Sequence, residues 1–237
     1  NILDFNIDTS INQLDFSTKS LLINTINPHS YCVTKKDTLF KEALQKSDVL
    51  IPDGIGIVIA AKLLANEKIE RIAGADLHEH ILKLANQNNG KVFYLGSMPS
   101  TLQKIKERLS IEYPNILFEC YSPPYKLEFT SADNKAMLEA VNAFKPNALF
   151  IGMTAPKQEK WAYQHKDSLD VNIIASIGAV FDFYAGTVKR PGKFWQKSGL
   201  EWLPRLLREP KRLWRRTIVS TPCFLWDVLK AKMAHRF

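Results

Sequence analysis

The stretch Leu50-Ile51-Pro52-Asp53-Gly54-Ile55-Gly56-Ile57-Val58 sets an acid where a short apolar strand gives way to a helix. Residues 49–51 are apolar, and Pro52 cannot donate into a sheet ladder. Gly54 and Gly56 allow tight backbone geometry before apolar residues resume over 55–64 at helical length. A side chain at such a junction stands at the carboxyl end of a strand, where open α/β sheets hold their ligands. Asp53 is therefore the candidate for chemistry, although its residue type equally suits a helix N-cap.

Working outward, the same punctuation recurs. Residues 21–26 form another buried-strand run, which ends in Thr25-Ile26-Asn27-Pro28. Residues 30–46 then carry helical apolar spacing at Val33, Leu39, Phe40, Ala43 and Leu44. Residues 70–76 lead into a helix through 89. Strands are expected at 91–96, 116–121, 148–152 and 172–178, and helices at 100–111, 131–144 and 156–169. The last of these has proline in its first turn and Glu159 close behind. Such alternation predicts right-handed βαβ units, and hence an α/β, Rossmann-like fold with a mostly parallel sheet and helices on both faces. That domain is expected over 1–190, with a basic helical C-terminal appendage over 191–237. Residues 1–20 alternate around polar breaks and predict short strands or an irregular lead-in.

Composition narrows the function classes. With 237 residues and 46% hydrophobic content, the chain can bury the core of one large α/β domain. No run approaches the roughly 20 apolar residues that cross a bilayer, and residues 1–20 lack a basic-then-apolar export pattern. The expected location is cytoplasmic, peripheral on the inner face of the cell membrane. Cys32, Cys120 and Cys223 are far apart and read as free thiols. The net charge of +8 is uneven: residues 189–237 carry +10 and the rest −2. In that tail Trp202, Leu203, Leu206, Leu207, Leu213 and Trp214 are interleaved with Arg205, Arg208, Lys211, Arg212, Arg215 and Arg216. This describes an amphipathic surface for an anionic membrane. The same pattern also suits a helix packed on its own domain with a solvated basic face. A basic nucleic-acid-binding module is the alternative function, but the tail has no recognition motif and nucleic acid is not an expected partner.

Four strand ends carry polar or glycine groups: Thr25/Asn27, Asp53/Gly54, Gly96/Ser97 and Gly152/Thr154. In a parallel sheet all four open on one edge. The loop over 152–159 also feeds a helix N-terminus, whose free N–H groups favour an anion such as a nucleotide phosphate. No G-x-G-x-x-G follows the first strand and no Walker loop is present, so nicotinamide and P-loop chemistry lack their usual signals. No cofactor is expected. Two aspartates nowhere stand two apart, and His78 and His80 do not face one point on a helix, so no metal is expected either. If a diphosphate leaves, arginines are the natural partners for it.

Five ordered motifs go further. They are Pro52-Asp53-Gly54-x-Gly56, Arg71-x-x-Gly74-x-Asp76, Phe93-Tyr94-Leu95-Gly96, Gly152-x-x-x-Pro156-Lys157-Gln158-Glu159-x-Trp161 and Gly178-Ala179-x-Phe181-Asp182-x-x-Ala185-Gly186. Arg190-Pro191 and Glu201-Trp202-x-x-Arg205 follow. Together they resemble the WecG/TagA/CpsF glycosyltransferases, bacterial enzymes that move a sugar, often an N-acetylhexosamine or its uronate, from a UDP donor to a polyprenyl-diphosphate-linked saccharide. The resemblance implies an inverting, metal-independent transfer with Asp53 as general base and the UDP-sugar as a substrate, not a cofactor. It implies that Thr25 and Gln158 position substrate, with Asn27, Arg71, Gly74, Asp76, Gly96, Gly152 and Glu159 around them. Arg205, Arg212 and Arg215 would bind the diphosphate as the tail folds over the pocket. His29 stands where the family pattern would sooner place an acid. Self-association is a further expectation, because an undocked tail would leave apolar faces open.

Overall fold

Unbroken apolar runs become strands. In the computed structural model, which describes residues 1–192, 194–195 and 200–234, these are β1 Leu21–Ile26, β2 Val49–Pro52, β3 Lys91–Gly96, β4 Leu117–Tyr121, β5 Ala148–Gly152 and β6 Ile173–Ser176. All pair in parallel within one sheet of order β2-β1-β6-β5-β3-β4. Parallel neighbours need long crossovers, and helices supply them. These are α1 Pro28–Thr34, α2 Thr38–Gln45, α3 Ile55–Leu64, α4 Gly74–Gln87, α5 Pro99–Glu112, α6 Ser131–Phe144, α7 Lys157–His165 and α8 Val180–Tyr184. The expected Rossmann-like α/β sheet is thus present, and it is parallel throughout.

Successive strand residues point to opposite layers, and the core divides accordingly. Val92, Tyr94, Phe150, Ile173 and Ala175 pack beneath Leu77 and Ile81 of α4, Leu102 and Ile105 of α5 and Phe181 of α8. Phe93, Leu95, Leu149, Ile151 and Ile174 face the other way, against Met137 and Val141 of α6 and Trp161 of α7. Burial on both faces explains why β3 and β5 read as continuous apolar runs. Each full burial of such a side chain contributes about 1.5–3 kcal/mol.

A third cluster covers the β1/β2 end of the sheet. Ile26 and Leu50 meet Phe40 and Leu44 of α2, Ile57 and Ala60 of α3, the N-terminal Ile2 and Phe5, and Phe224 and Val228 from the far end of the chain. The lead-in of residues 1–20 has a single bridge, Ile2 to Phe5, and is otherwise irregular. It blunts the edge of β2: the Asp8 N–H donates to Leu50 O at 2.9 Å, and its carboxylate accepts from Leu50 N at 2.8 Å.

The helix expected over 30–46 is two helices. Asp37 takes extended backbone (φ −128°), and its carboxylate accepts from Phe40 N, which starts α2 afresh. Helix α1 also begins earlier than the apolar spacing indicated, because Asn27 caps it reciprocally with Ser30. The helix expected over 156–169 ends at His165, and a 3₁₀ turn Lys166–Ser168 finishes it. From residue 202 the chain forms α9 Trp202–Arg208, α10 Pro210–Trp214, a π-helical turn Arg215–Val219 and α11 Ser220–Ala234. The tail's last helix is therefore part of the core, held through Phe224 and Val228.

Candidate active site

Strands β1 and β2 pair with Thr25 opposite Ile51 and Ile26 opposite Pro52. The Asp53 N–H carries the ladder one residue beyond β2 by donating to Ile26 O at 2.9 Å. Its side chain is thereby fixed at the carboxyl edge of two adjacent strands. The N-cap of α3 is Gly54 at φ +140°, without any side-chain cap bond, so the capping role that Asp53's residue type suits is not the one it plays. Gly56 must be glycine for a different reason: a Cβ there would lie 2.5 Å from Pro28 Cγ.

Asp53 is partly covered, and burial raises its carboxyl above the ordinary carboxylate range. Arg71, Arg216 and Arg205 pull it back down, while Glu201 pushes it up. An acid so placed is nearer to neutral pH than a solvated aspartate, as a general base should be.

The charged groups around it form a network. Glu201, at the start of the tail, is only 8% exposed. Arg71 Nη1 donates to its Oε2 at 3.3 Å and Arg190 Nε to its Oε1 at 3.1 Å. Arg190 also approaches Asp76 Oδ1 at 3.7 Å, and the other Asp76 oxygen accepts from Ala73 N at 3.0 Å in the first turn of α4. A buried carboxylate held by two guanidinium groups is a well-satisfied charge, and it ties tail to core beside Asp53.

On the β5 side, Gln158 and Glu159 are both buried in the first turn of α7. Gln158 Oε1 accepts from Met153 N at 3.3 Å, and its Nε2 donates to Glu159 Oε1 at 2.9 Å. Glu159 Oε2 is buried without a hydrogen-bond partner. Burial raises this carboxyl, and the Gln158 hydrogen bond and, less strongly, Arg216 lower it. The helix N-terminus expected to attract an anion thus already holds a carboxylate of its own chain. Burial, and secondarily Arg216, lowers the pKa of His29 on α1, whose Nδ1 lies 2.9 Å from Ser220 Oγ. The charge of Arg216, an exposed residue, is thus a secondary influence on Asp53, His29 and Glu159, groups that follow β2, β1 and β5.

The remaining candidates separate by what they touch. Thr25 is partly buried on β1, one strand from Asp53. The Asn27 side-chain oxygen is engaged at the N-terminus of α1, accepting from His29 N and Ser30 N at 3.0 Å each. Gly74 opens α4 where a Cβ would sit 3.3 Å from Val180 Cγ2. Gly96 and Gly152 end the paired strands β3 and β5. A Cβ on the first would lie 2.7 Å from Gly152 O, and one on the second 2.4 Å from the Phe181 ring, so packing alone demands both glycines. Arg205 stacks 5.1 Å from the Phe183 ring centroid. Arg215 is exposed, and its carbonyl accepts from Ser220 Oγ. The side chain of Arg212 lies outside the described residues.

Sequence reasoning singled out neither Arg216 nor Glu201 as a site residue. The available signal for Glu201 was its place in the motif Glu201-Trp202-x-x-Arg205. For Arg216 there was only membership of the same basic run. Two surface cavities lie elsewhere, one at Asn134, Lys135, Leu138 and His165 and one at Leu102, Gln103, Phe118 and Cys120. Among the described residues, no group of three or more His, Cys, Asp or Glu is placed to hold a metal, and no helix is long and apolar enough to cross a membrane.

Comparison with known proteins gives a consistent picture. The model of the Glycosyl transferase WecG/TagA/CpsF family matches residues 3–237. Two relatives from Staphylococcus aureus, of strains MW2 and COL, are each 31% identical over 216 residues, covering 91% of this chain and 82% of theirs. Both are named N-acetylglucosaminyldiphosphoundecaprenol N-acetyl-beta-D-mannosaminyltransferase. Nothing in these comparisons supports the nucleic-acid-binding alternative.

Proposed function

This chain belongs to the WecG/TagA/CpsF family of glycosyl transferases, and from that premise we propose that it transfers an N-acetylhexosaminyl group, of the N-acetylmannosaminyl type, from a UDP-sugar to a polyprenyl-diphosphate-linked saccharide in cell-surface polysaccharide synthesis. In this reading Asp53 takes the proton from the acceptor hydroxyl as that oxygen attacks the anomeric carbon. The bond from that carbon to the donor's diphosphate oxygen breaks from the opposite face, which inverts the configuration. Arg71, Arg205 and Arg216 stabilise the charge gathering on the leaving diphosphate, the part a metal plays in other sugar-nucleotide enzymes. Arg212 and Arg215 remain candidates for the same work. Thr25 and Gln158 orient the substrates, Gln158 through an amide already fixed by Met153 N and Glu159.

The observation that carries this reading is the Asp53 carboxyl at a strand end, which does not cap α3, is raised by burial and feels the charge of Arg71, Arg216 and Arg205. Its test is direct. Purified protein, UDP-N-acetylmannosamine and a short-chain polyprenyl-diphosphate N-acetylglucosamine should yield a lipid-linked disaccharide and UDP, undiminished by a chelator. Failure with this and related UDP-N-acetylhexosamines and their uronates, or loss of turnover in chelator, would overturn the reading.

The tail supports a second part of the proposal, attachment to an anionic membrane surface where a polyprenyl acceptor resides. Leu207, Trp214, Val219, Trp226 and Met233 are each more than half exposed, among exposed Arg208, Lys211, Arg215, Arg216 and Lys230. Ile55 and Ile59 of α3 add to the apolar exposure. Apolar rings ringed by cations suit the headgroup boundary, where each basic residue contributes about 1 kcal/mol. Phosphatidylglycerol vesicles are expected to sediment the protein, and neutral phosphatidylcholine vesicles to do so weakly. Trp214→Glu combined with Trp226→Glu should leave most of the protein in the supernatant. Equal sedimentation of the double variant, or self-association without lipid that hides the same face, would count against it.

A further inference from the structure

Helix α1 and the tail helix α11 lie side by side along a seam that can be followed contact by contact. At one end His29 Nδ1 is 2.9 Å from Ser220 Oγ. At the other, Lys35, the C-cap of α1, forms an ion pair with Asp227. Between them Cys32 Sγ donates to Ser220 O at 3.3 Å. His29, Cys32 and Lys35 are three residues apart and share one face, and Ser220, Cys223 and Asp227 at spacings of three and four share another. Both series ascend together, so the helices run parallel and the register sets Cys223 against Cys32.

We propose that Cys32 and Cys223 form a reversible oxidation site, a dithiol that a peroxide or a low-molecular-weight disulfide converts into a covalent link between the core and the C-terminal helix. With a peroxide, the Cys223 sulfur attacks one oxygen and the O–O bond breaks, giving a sulfenic acid and water from hydrogen peroxide. The Cys32 sulfur then attacks Cys223 Sγ, and the hydroxyl leaves as a second water. Two electrons pass from the sulfurs to the peroxide, and each thiol gives up its proton. Cys223 is exposed and meets the oxidant first, while Cys32 is half-buried beneath it. Burial, with Cys223 as the next influence, pushes the Cys32 thiol up to about 12, so Cys32 alone is a poor target. Cys120 lies on β4, at the opposite edge of the sheet from β2.

The link would bind α11 to the helix that follows Thr25 and Asn27. It is independent of which sugar the protein transfers. The full chain treated with hydrogen peroxide, or with oxidised glutathione, and then alkylated should lose two hydrogens and protect two thiols. Peptide mapping should join Cys32 to Cys223, and dithiothreitol should reverse the change. Trypsin cutting within 205–216 should leave the Cys223 fragment attached until reduction. Cys120→Ser should behave like the parent, and Cys32→Ser or Cys223→Ser should abolish the link. Oxygen or glutathione adducts on Cys223 without the link, or dimers joined between chains, would overturn the proposal. If either serine variant fails to fold by circular dichroism, the map of the Cys120→Ser protein decides alone.

Discussion

Replacing Asp53 by asparagine is expected to lower turnover by about 10²–10⁴-fold, the usual contribution of a well-placed general base. UDP binding, measured by calorimetry, should stay close to that of the parent. The substitution keeps size and planarity and removes only the ability to take a proton. It should also raise the melting temperature at neutral pH. Burial holds the Asp53 pKa above its unfolded value, so ionisation costs the folded state more than the unfolded chain. Stability on this account is fully present below the unfolded pKa and declines as pH rises through the folded one, and asparagine escapes the loss. Activity runs the other way, because the base must be ionised: the acidic limb of kcat/KM should lie above the range of a solvated aspartate. A variant that loses activity together with stability would show Asp53 to be structural, and one that keeps its turnover would remove it from the chemistry.

The fold was legible because its strands are buried on both faces. Runs such as Val92 to Leu95 and Ala148 to Ile151 have only one physical reading once glycine and helical spacing bound them. The break at Asp37 was not legible, since apolar spacing runs through it and a capping carboxylate is visible only when its partner, Phe40 N, is in place. Asp53 could be found because a strand end is a position along the chain. Gly96 and Gly152 were found for the same reason, yet close packing accounts for both. Glu201 lies 130 residues from the Arg71 it pairs with, a distance that no local pattern spans. Arg216 looks like its neighbours in sequence. The π-helical turn Arg215–Val219 carries both arginines, and only the folded chain sets Arg216 apart from Arg215.

That separation yields the other large effect. Arg216→Gln is expected to lower kcat/KM by about 10²–10³-fold, the scale of losing one preorganised donor to a developing negative charge. Loss of a structural contact could also lower the rate, so the pH profile is the deciding measurement. Arg216 is one of the charges that hold the Asp53 pKa down against burial. Without it that pKa rises, a higher pH is needed to ionise the base, and the acidic limb should move upward. Arg216 also lowers the Glu159 carboxyl and the His29 imidazolium. Removing its charge therefore raises both groups as well, and all three changes favour the protonated forms. Glu159, already raised by burial, would then stay protonated to a higher pH, whereas His29 would become easier to charge than in the parent. Neither change reverses the movement expected for Asp53. Arg215→Gln, one residue away and exposed like Arg216 but absent from the influences on Asp53, should leave the limb in place. An unmoved profile in Arg216→Gln, or an equal movement in both variants, would mean that no single guanidinium couples the tail to the base, and the tail's part in the chemistry would reduce to holding the protein at its acceptor.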